Sequence, residues 1–437
     1  MDTDVLVVGA GPTGLLLANE LQLAGADALV LERLPQRSGQ SKALNLQPRT
    51  AEILQLRGWL EPVLDRAMAT IPGGHFAGLP LDYGVFDTPF PYQVGIPQAR
   101  VEESLEQRLA ACGTPVRYGH ELLDIRQDGD GVTAEVAGPD GRRQLRARYL
   151  VGADGGRCTV RQLLGAAFPG RDGRISAVVA DVLLDGGETA PAEWRLPDFE
   201  PDENGVSFLL PLGDGVYRLL FGGPAQQGVE RSVPVGEDEV RAALRLHHGD
   251  TVRLRELRWA SRFTDASRQV EHYRAGRVLL AGDAAHIHLP AGGQGLNLGM
   301  QDAFNLGWKL AAELHGRAPE LVRCGHDGRR GRPPGPGLAA QGGVRRHRRG
   351  LPGPVASPPT RREPAEPAAG RRSGRRAGGG KPQAPPHRPG ARRTLRPGPA
   401  RKVQGRSRSS PRPWGGPGVT RSRAAHGRRR PACRSGT

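Results

Sequence analysis

The chain has 437 residues and a formal net charge of +17, long enough for two or three domains around a large buried core. A positive excess of that size points to nucleic acid or membrane surfaces, but it is confined to one end. Residues 1–320 carry 32 Lys+Arg against 42 Asp+Glu, net −10, whereas the remaining 117 carry 30 against 3, net +27.

The first three-quarters thus reads as an acidic soluble protein. No apolar run reaches the ~18 residues of a membrane helix. The N-terminus enters a strand without a basic leader or cleavable apolar stretch, so a cytoplasmic location is expected. Cys112, Cys158, Cys324 and Cys433 are scattered, with no CxxC pair and no metal-ligand spacing. They read as reduced structural thiols, and no metal is expected.

The segment DVLVVGAGPTGLLLANELQLAGADALVLERL (4–34) is the most informative stretch. Val5 to Val8 is an uninterrupted apolar run, as in a parallel strand buried on both faces. Gly9-Ala10-Gly11-Pro12-Thr13-Gly14 follows, then helical periodicity from Leu15 to Leu23, a stop at Gly25, and a second strand from Ala28 to Leu31 ending on Glu32. Gly9 permits the tight turn, Gly11 lets the backbone approach a pyrophosphate, and Gly14 lets helix and strand pack closely. The helix N-terminus offers N–H groups and its dipole to phosphates, and Glu32 can accept ribose hydroxyls. Strand, glycines, helix, strand and acid in register predict a dinucleotide site; the neighbouring Arg33 does not decide which dinucleotide.

Further along, YLVGADGGRCTVRQLLG (149–165) predicts a buried strand, an Asp154-Gly155 turn and a helix start. The pattern then turns antiparallel. AVVADVLL (177–184) and VRLRELRWASRF (252–263) read as strands, and 206–223 as a hairpin around Gly213-Asp214-Gly215. GEDEVRAALRLHHG (236–249) reads as a short helix. In GRVLLAGDAAHIHLPAGGQGLNLGMQDAFNLGWKLAAEL (276–314), a strand over Val278–Ala281 ends at Gly282-Asp283, and a glycine-rich loop leads to a long helix starting near Asn297.

These three motifs in this order resemble the class A flavoprotein aromatic hydroxylases of the p-hydroxybenzoate hydroxylase type. Within that family they are most similar to the bacterial hydroxylases that tailor aromatic polyketides, over roughly residues 1–320. The resemblance implies an α/β fold: a Rossmann-like FAD-binding domain built from 1–70, 98–170 and 272–318, with a sheet-rich substrate domain from 71–97 and 171–271. The Gly/Pro/aromatic-rich stretch 71–97 is assigned to the pocket wall.

FAD is the implied cofactor, with NADPH or NADH as transient reductant. Carried over by position, Gly9, Gly11, Pro12, Thr13 and Gly14 cradle the phosphates, Glu32 holds the adenosine ribose, and the adjacent Arg33 belongs to the same cofactor-binding set. Asp283 contacts the ribityl chain, and Gln98 the ribityl or phosphate region. Pro290 lies at the reactive edge of the flavin. Gly293, Gly295, Leu296 and Asn297 offer backbone N–H groups to its pyrimidine side. Lys42 stands where many relatives have an arginine near the pyrophosphate, keeping the charge but not the planar fork. Asp154 and Arg161 are associated with the DG turn and nicotinamide use.

The implied reaction is hydroxylation of an aromatic, polycyclic phenolic substrate by O2 through a flavin C4a-hydroperoxide. It needs a water-excluding pocket rather than a protein nucleophile. A Baeyer–Villiger oxygenase on the same scaffold is the alternative within the family, and the motifs name no catalytic base. His286 and His288 read as shaping the flavin loop rather than as acid/base groups or metal ligands. Stacking on a polycyclic substrate is one use for Trp194, Trp259 and Trp308, but core packing is the usual fate of tryptophan and the expected one.

Beyond about Leu321 the sequence has no Ile, Phe, Tyr, Met or Asn, and Gly, Pro and Arg supply 69 of 117 residues. Such a tail has too little apolar content to fold alone. An RGG-like arm on a nucleic-acid-binding flavoprotein is a second reading, but Trp414 is the tail's only aromatic residue and nucleic acid is not the expected partner. The body has two lysines, Lys42 and Lys309, against thirty arginines. That bias marks GC-rich coding DNA, which yields Arg, Gly, Pro and Ala when read out of frame. The tail is therefore read as disordered or as the product of a frameshift near codons 318–326.

Overall fold

A computed structural model describes residues 1–317 apart from 77–78, 186–192, 195–201 and 291; the readings made for residues 321–437 lie outside the described residues. Strand β1 (Thr3–Val8) leads through helix α1 (Pro12–Leu23) to β2 (Ala28–Leu31), which pairs with β1 in parallel, Val5 opposite Ala28 and Val8 opposite Leu31. Val5 and Val7 face a core formed with α1, while Leu6 and Val8 face a second core on the other side. The run is continuously apolar because both faces are covered.

Next come β3 (Asn45–Leu46), α2 (Pro48–Leu56), α3 (Glu61–Leu64), β4 (Ala69–Ile71), the hairpin β5 (Gly73–Phe76) and β6 (Leu79–Asp82), β7 (Gln93–Gly95) and α4 (Gln98–Ala111). Strands β3, β7 and β4 form a small antiparallel sheet. Helix α4 packs on α1, and the buried Asn19 amide joins them by donating to the Leu105 carbonyl at 3.0 Å.

Strands β8 (Glu121–Gln127), β9 (Val132–Gly138) and β10 (Gly141–Gly152) form a meander. The sequence-based strand from Tyr149 covers only the end of β10. Its first half, GRRQLRA, pairs with β9 and is largely exposed, so it lacks the apolar run that betrays a buried strand. The last residues pair in parallel with β1.

After α5 (Thr159–Leu163) and β11 (Gly170–Arg171), the chain forms β12 (Ser176–Asp185), β13 (Val206–Gly213) and β14 (Val216–Gly222), then α6 (Glu237–His248) and β15 (Arg253–Thr264). The four strands make an antiparallel sheet in the order β13-β14-β12-β15. Val178, Val182, Leu219 and Phe221 share a core with Val240 and Leu244 of α6. Asp214 (φ 52°) and Gly215 (φ 72°) both take positive φ, the two-residue turn whose twist suits a hairpin.

The chain then returns to the first sheet. Strands β16 (Ser267–Gln269), β17 (Arg274–Ala275), β18 (Val278–Leu280) and β19 (His286–Ile287) precede α7 (Gln294–Leu314). Strand β18 pairs in parallel with β10, completing the order β17-β18-β10-β1-β2. Helix α7 begins three residues before the expected Asn297 and lies against α1. Trp308 departs from expectation. It is 41% exposed on the face of α7 opposite Leu306 and Leu310, with the Lys309 ammonium 5.4 Å from its ring.

Cys158 is a buried free thiol. Burial and the nearby Asp154 carboxylate push its pKa up, which makes it inert.

Candidate functional site

Strands β2, β1, β10 and β18 are neighbours and parallel, so their carboxyl ends open on one edge. Each end carries one of the singled-out features: Glu32 after β2, Gly9 to Gly14 after β1, Asp154-Gly155 after β10 and Gly282-Asp283 after β18. Crevices outside such strand ends are where open α/β sheets bind ligands.

The glycines divide by what surrounds them. A Cβ on Gly9 (φ 104°) would lie 2.5 Å from the Ala153 carbonyl oxygen and 2.8 Å from Asp154 Cα, so the first turn and the DG turn touch backbone to backbone. A Cβ on Gly14 would run into the Gly9 carbonyl. Gly11, at an ordinary φ of −75°, has nothing within 4 Å of a Cβ. Two glycines are filled by protein, and the third faces open space at the N-terminus of α1. Pro12 is in the first turn of that helix, and Thr13 packs its hydroxyl against Gly282 and Gly299, tying α1 to the GD turn and α7.

Glu32 accepts the Ala10 amide at 3.0 Å through Oε2 and the Leu34 amide at 3.0 Å through Oε1. Each oxygen retains acceptor capacity. Arg33 and Lys42 are exposed. Gln98, the first residue of α4, accepts the Ala43 amide at 3.1 Å and donates to Glu102 at 2.8 Å, which sets Lys42 beside that helix start. Burial raises the Glu102 pKa against the opposing effects of the Gln98 bond and nearby Arg37 and Lys42.

Asp154 accepts the Thr159 amide at 2.6 Å and so holds the start of α5. Arg161 is buried. It donates to the Ala284 carbonyl at 2.7 Å and the Gly156 carbonyl at 2.8 Å, with its guanidinium carbon 3.9 Å from the Phe168 ring centre. These bonds lock the DG turn to the GD turn and commit its guanidinium to the fold.

Asp283 is exposed at the mouth of the crevice, and Pro290 is exposed with its carbonyl accepting the Gly293 amide at 2.9 Å. That bond leaves Gln294, Gly295 and Leu296 as the first-turn N–H groups that α7 does not pair internally. Asn297 is fully buried. Its amide donates to the Gly293 carbonyl at 2.8 Å and the Asn45 carbonyl at 3.2 Å, and accepts the Gln47 amide at 2.8 Å. Gln47 donates to the Gly292 carbonyl at 2.9 Å. Strand β3 therefore grips the glycine-rich loop.

His286 Nε2 lies 2.6 Å from Asp302 Oδ2, which also accepts the Gly282 amide at 3.1 Å. The pair fastens the GD turn to α7, a loop-shaping role. Among the described residues, no cluster of His, Cys, Asp and Glu is arranged to hold a metal ion.

Two arginines outside the motifs bring the second sheet to this edge. Arg218, 2% exposed in the middle of β14, pairs with Asp181 of β12 at 2.6 Å and donates to the Ser41 carbonyl beside Lys42. Trp259 stacks near it, 5.6 Å from ring centre to guanidinium carbon. Arg100 of α4 donates to the Leu212 carbonyl at 3.4 Å. The signal for Arg218 is present in the sequence: one charge interrupts each of the apolar strands AVVADVLL and VYRLLFGG, and Asp181 and Arg218 are cross-strand partners. Trp194 lies over Gly95 of β7, where a Cβ would come within 2.5 Å of the indole nitrogen.

The family described as FAD binding domain matches residues 2–323. The chain belongs to that FAD-binding family. Over 327 residues it is 48% identical to the 12-dehydrotetracycline 5-monooxygenase/anhydrotetracycline 6-monooxygenase of Streptomyces rimosus, covering 73% of this chain and 64% of that protein. It is likewise 48% identical over 320 residues to a rifampicin monooxygenase of Streptomyces venezuelae, covering 72% and 66%. Among solved structures, CabE, an aromatic hydroxylase from angucycline biosynthesis, aligns with a TM-score of 0.67 at 43% identity, over 76% of this chain and 66% of that one. The chain thus spans about two thirds of these relatives' length.

The residues present fit the family's cofactor. Open space at Gly11, unpaired donors at the first turn of α7, an acid at the end of β2 and a buried, unpartnered imidazole nitrogen on His288 all border the crevice. FAD offers phosphates, hydroxyls and a ring edge to match them.

Proposed function

We propose that this chain is an FAD-dependent monooxygenase that hydroxylates an aromatic substrate, a polycyclic phenol of the polyketide type. The observation that carries the reading is the convergence of three motifs, 9–14, 154–155 and 282–283, on one strand edge in a chain 48% identical to an anhydrotetracycline monooxygenase and to a rifampicin monooxygenase. Bound FAD supplies the redox chemistry, taking electrons from NADPH or NADH and passing them to O2.

The chain's residues bind, orient and exclude water. Gly11 and the α1 N-terminus, with Pro12 and Thr13, face the pyrophosphate, flanked by Lys42. Glu32 accepts from the adenosine ribose with Arg33 at its rim. Asp283 and Gln98 serve the ribityl chain, and the N–H groups at Gly295 and Leu296 the ring. Gly9, Gly14, Asp154, Gly293 and Asn297 hold the turns that aim these groups. Pro290 lies at the reacting edge.

The proposed FAD-binding domain comprises 1–70, 98–170 and 272–318, and the substrate domain 71–97 and 171–271. The Arg218–Ser41 and Arg100–Leu212 bonds support the second sheet as the cover that keeps water from the reacting edge. We read the sequence beyond about residue 320 as translated out of frame. The family match stops at residue 323, within a few residues of the change in composition.

The test is to purify the chain, record its flavin spectrum, and follow NADPH and NADH oxidation with polycyclic phenols, identifying products by mass. Bound flavin, substrate-stimulated oxidation and a product heavier by one oxygen support the reading. Flavin without substrate-stimulated oxidation across such phenols overturns it. Lactone products would place the chain with Baeyer–Villiger oxygenases.

A further inference from the structure

His288 lies between the GD turn and the start of α7, in the segment read above only as loop. Its Nδ1 is 2.8 Å from the Leu289 carbonyl oxygen. A carbonyl can only accept, so Nδ1 carries the proton. In the neutral ring, Nε2 is then a bare acceptor. That nitrogen is buried and has no hydrogen-bond partner.

Its surroundings explain why the protein leaves it unsatisfied. A Cβ built on Gly295 would lie 4.0 Å from His288 Nε2 and 3.9 Å from Asp283 Oδ1, so imidazole and carboxylate flank the first turn of α7. Asp283 is ordinarily an acceptor too and cannot satisfy a bare nitrogen. A buried acceptor without a donor is left with its desolvation penalty unrepaid, so native proteins rarely keep one without a ligand or water to complete it.

We infer that His288 is a cofactor-binding residue whose Nε2 accepts a hydrogen bond from an O–H or N–H donor of bound FAD, a ribityl hydroxyl or the ring imide. This rests on the reading that FAD occupies the crevice beside Gly295. The Leu289 bond fixes the tautomer in advance, so the acceptor is preorganised before the cofactor arrives.

The experiment is FAD titration of the flavin-stripped full chain, followed by flavin fluorescence, for wild type, His288→Phe and His288→Gln. Far-UV circular dichroism and thermal unfolding of the stripped proteins serve as the folding control. His288→Phe keeps a flat ring without the acceptor and should bind FAD about tenfold more weakly, the scale of one hydrogen bond. His288→Gln, with a carbonyl at similar reach, should recover part of the loss.

FAD derivatives divide the two donors. Methylation of the ring imide or removal of a ribityl hydroxyl should weaken wild type and leave His288→Phe unaffected, one derivative or the other according to which group is bonded. Equal FAD affinity of folded His288→Phe and wild type overturns the inference while leaving the FAD reading intact. Wild type that binds no FAD overturns the underlying reading as well.

Discussion

Gly11 and Gly14 stand three residues apart in one motif and do different physical work. Gly14 is needed by the fold, because a Cβ there would occupy the space of the Gly9 carbonyl; Gly11 is needed only by a ligand, because its Cβ would meet nothing. Gly14→Ala should therefore lower unfolding stability by about 2 kcal/mol or more, since backbone must move to accommodate it. Gly11→Ala should leave stability of the stripped protein within about 0.5 kcal/mol and lower FAD affinity at least tenfold. Urea unfolding with parallel flavin titration checks both, and equal stability losses would refute the division. At Gly95 the neighbour is the Trp194 indole. Gly95→Ala must displace that ring, and a blue shift or intensity change in tryptophan fluorescence at retained secondary structure is the expected signature. An unchanged spectrum would remove Trp194 from its place over β7.

At the scale of elements, the α1–α7–α2 contact depends on a charge that composition alone would place outside. Glu20 is buried in α1, with Gly307 of α7 packed on its Cβ and Arg57, just after α2, donating to its oxygens at 2.8 and 3.0 Å. Burial raises the Glu20 pKa, and the Arg57 bonds oppose the rise. A carboxyl whose folded pKa is raised contributes stability that is fully present below its unfolded pKa and lost as pH rises through the folded value. Arg57→Met removes the opposing bonds and raises the folded pKa further. Its deficit against wild type should be smaller at pH 4.5, toward which the raised pKa eases protonation of Glu20, than at pH 7, where loss of the pairing should cost about 3 kcal/mol. Chemical unfolding at the two pH values measures it; a deficit independent of pH would mean Arg57 acts through packing alone. Likewise, Asn297→Ala removes three bonds between α7, its loop and β3, and should cost about 2–3 kcal/mol and loosen the loop. Hydrogen exchange at Gln47, whose amide bonds to Asn297, should accelerate if that grip is real.

For the whole molecule, the division of charge implies a division of origin. If residues after about 320 are out of frame, translating the gene downstream of codons 318–326 in the other two frames should give a lysine-poor sequence with regular apolar periodicity. Two further frames without such patterning would refute it. Removing 321–437 should leave the flavin spectrum and FAD affinity unchanged. A loss of salt-sensitive RNA binding on that deletion would instead assign the tail a role of its own.

Local and contiguous features were legible from sequence. The β1–α1–β2 unit was readable because a doubly buried strand, a glycine turn and a leucine-rich helix ended by Gly25 each mark themselves within a few residues. The β13–β14 hairpin was readable because Asp-Gly fits positive φ at both turn positions. The family likeness rests on these same short motifs, and the match over residues 2–323 shows it.

Other features depend on partners far apart in the chain. Arg218 reaches the Ser41 carbonyl 177 residues away, and Arg161 meets Ala284 across 123. Trp308 carries a core composition but faces outward, because the register of α7 on α1 turns Leu306 and Leu310 inward. The bare nitrogen of His288 exists only because Leu289 takes its other proton and the fold closes around it. Periodicity sets which elements form, but whether a polar atom is satisfied or left waiting for a ligand is decided where distant elements meet, and that only the tertiary structure determines.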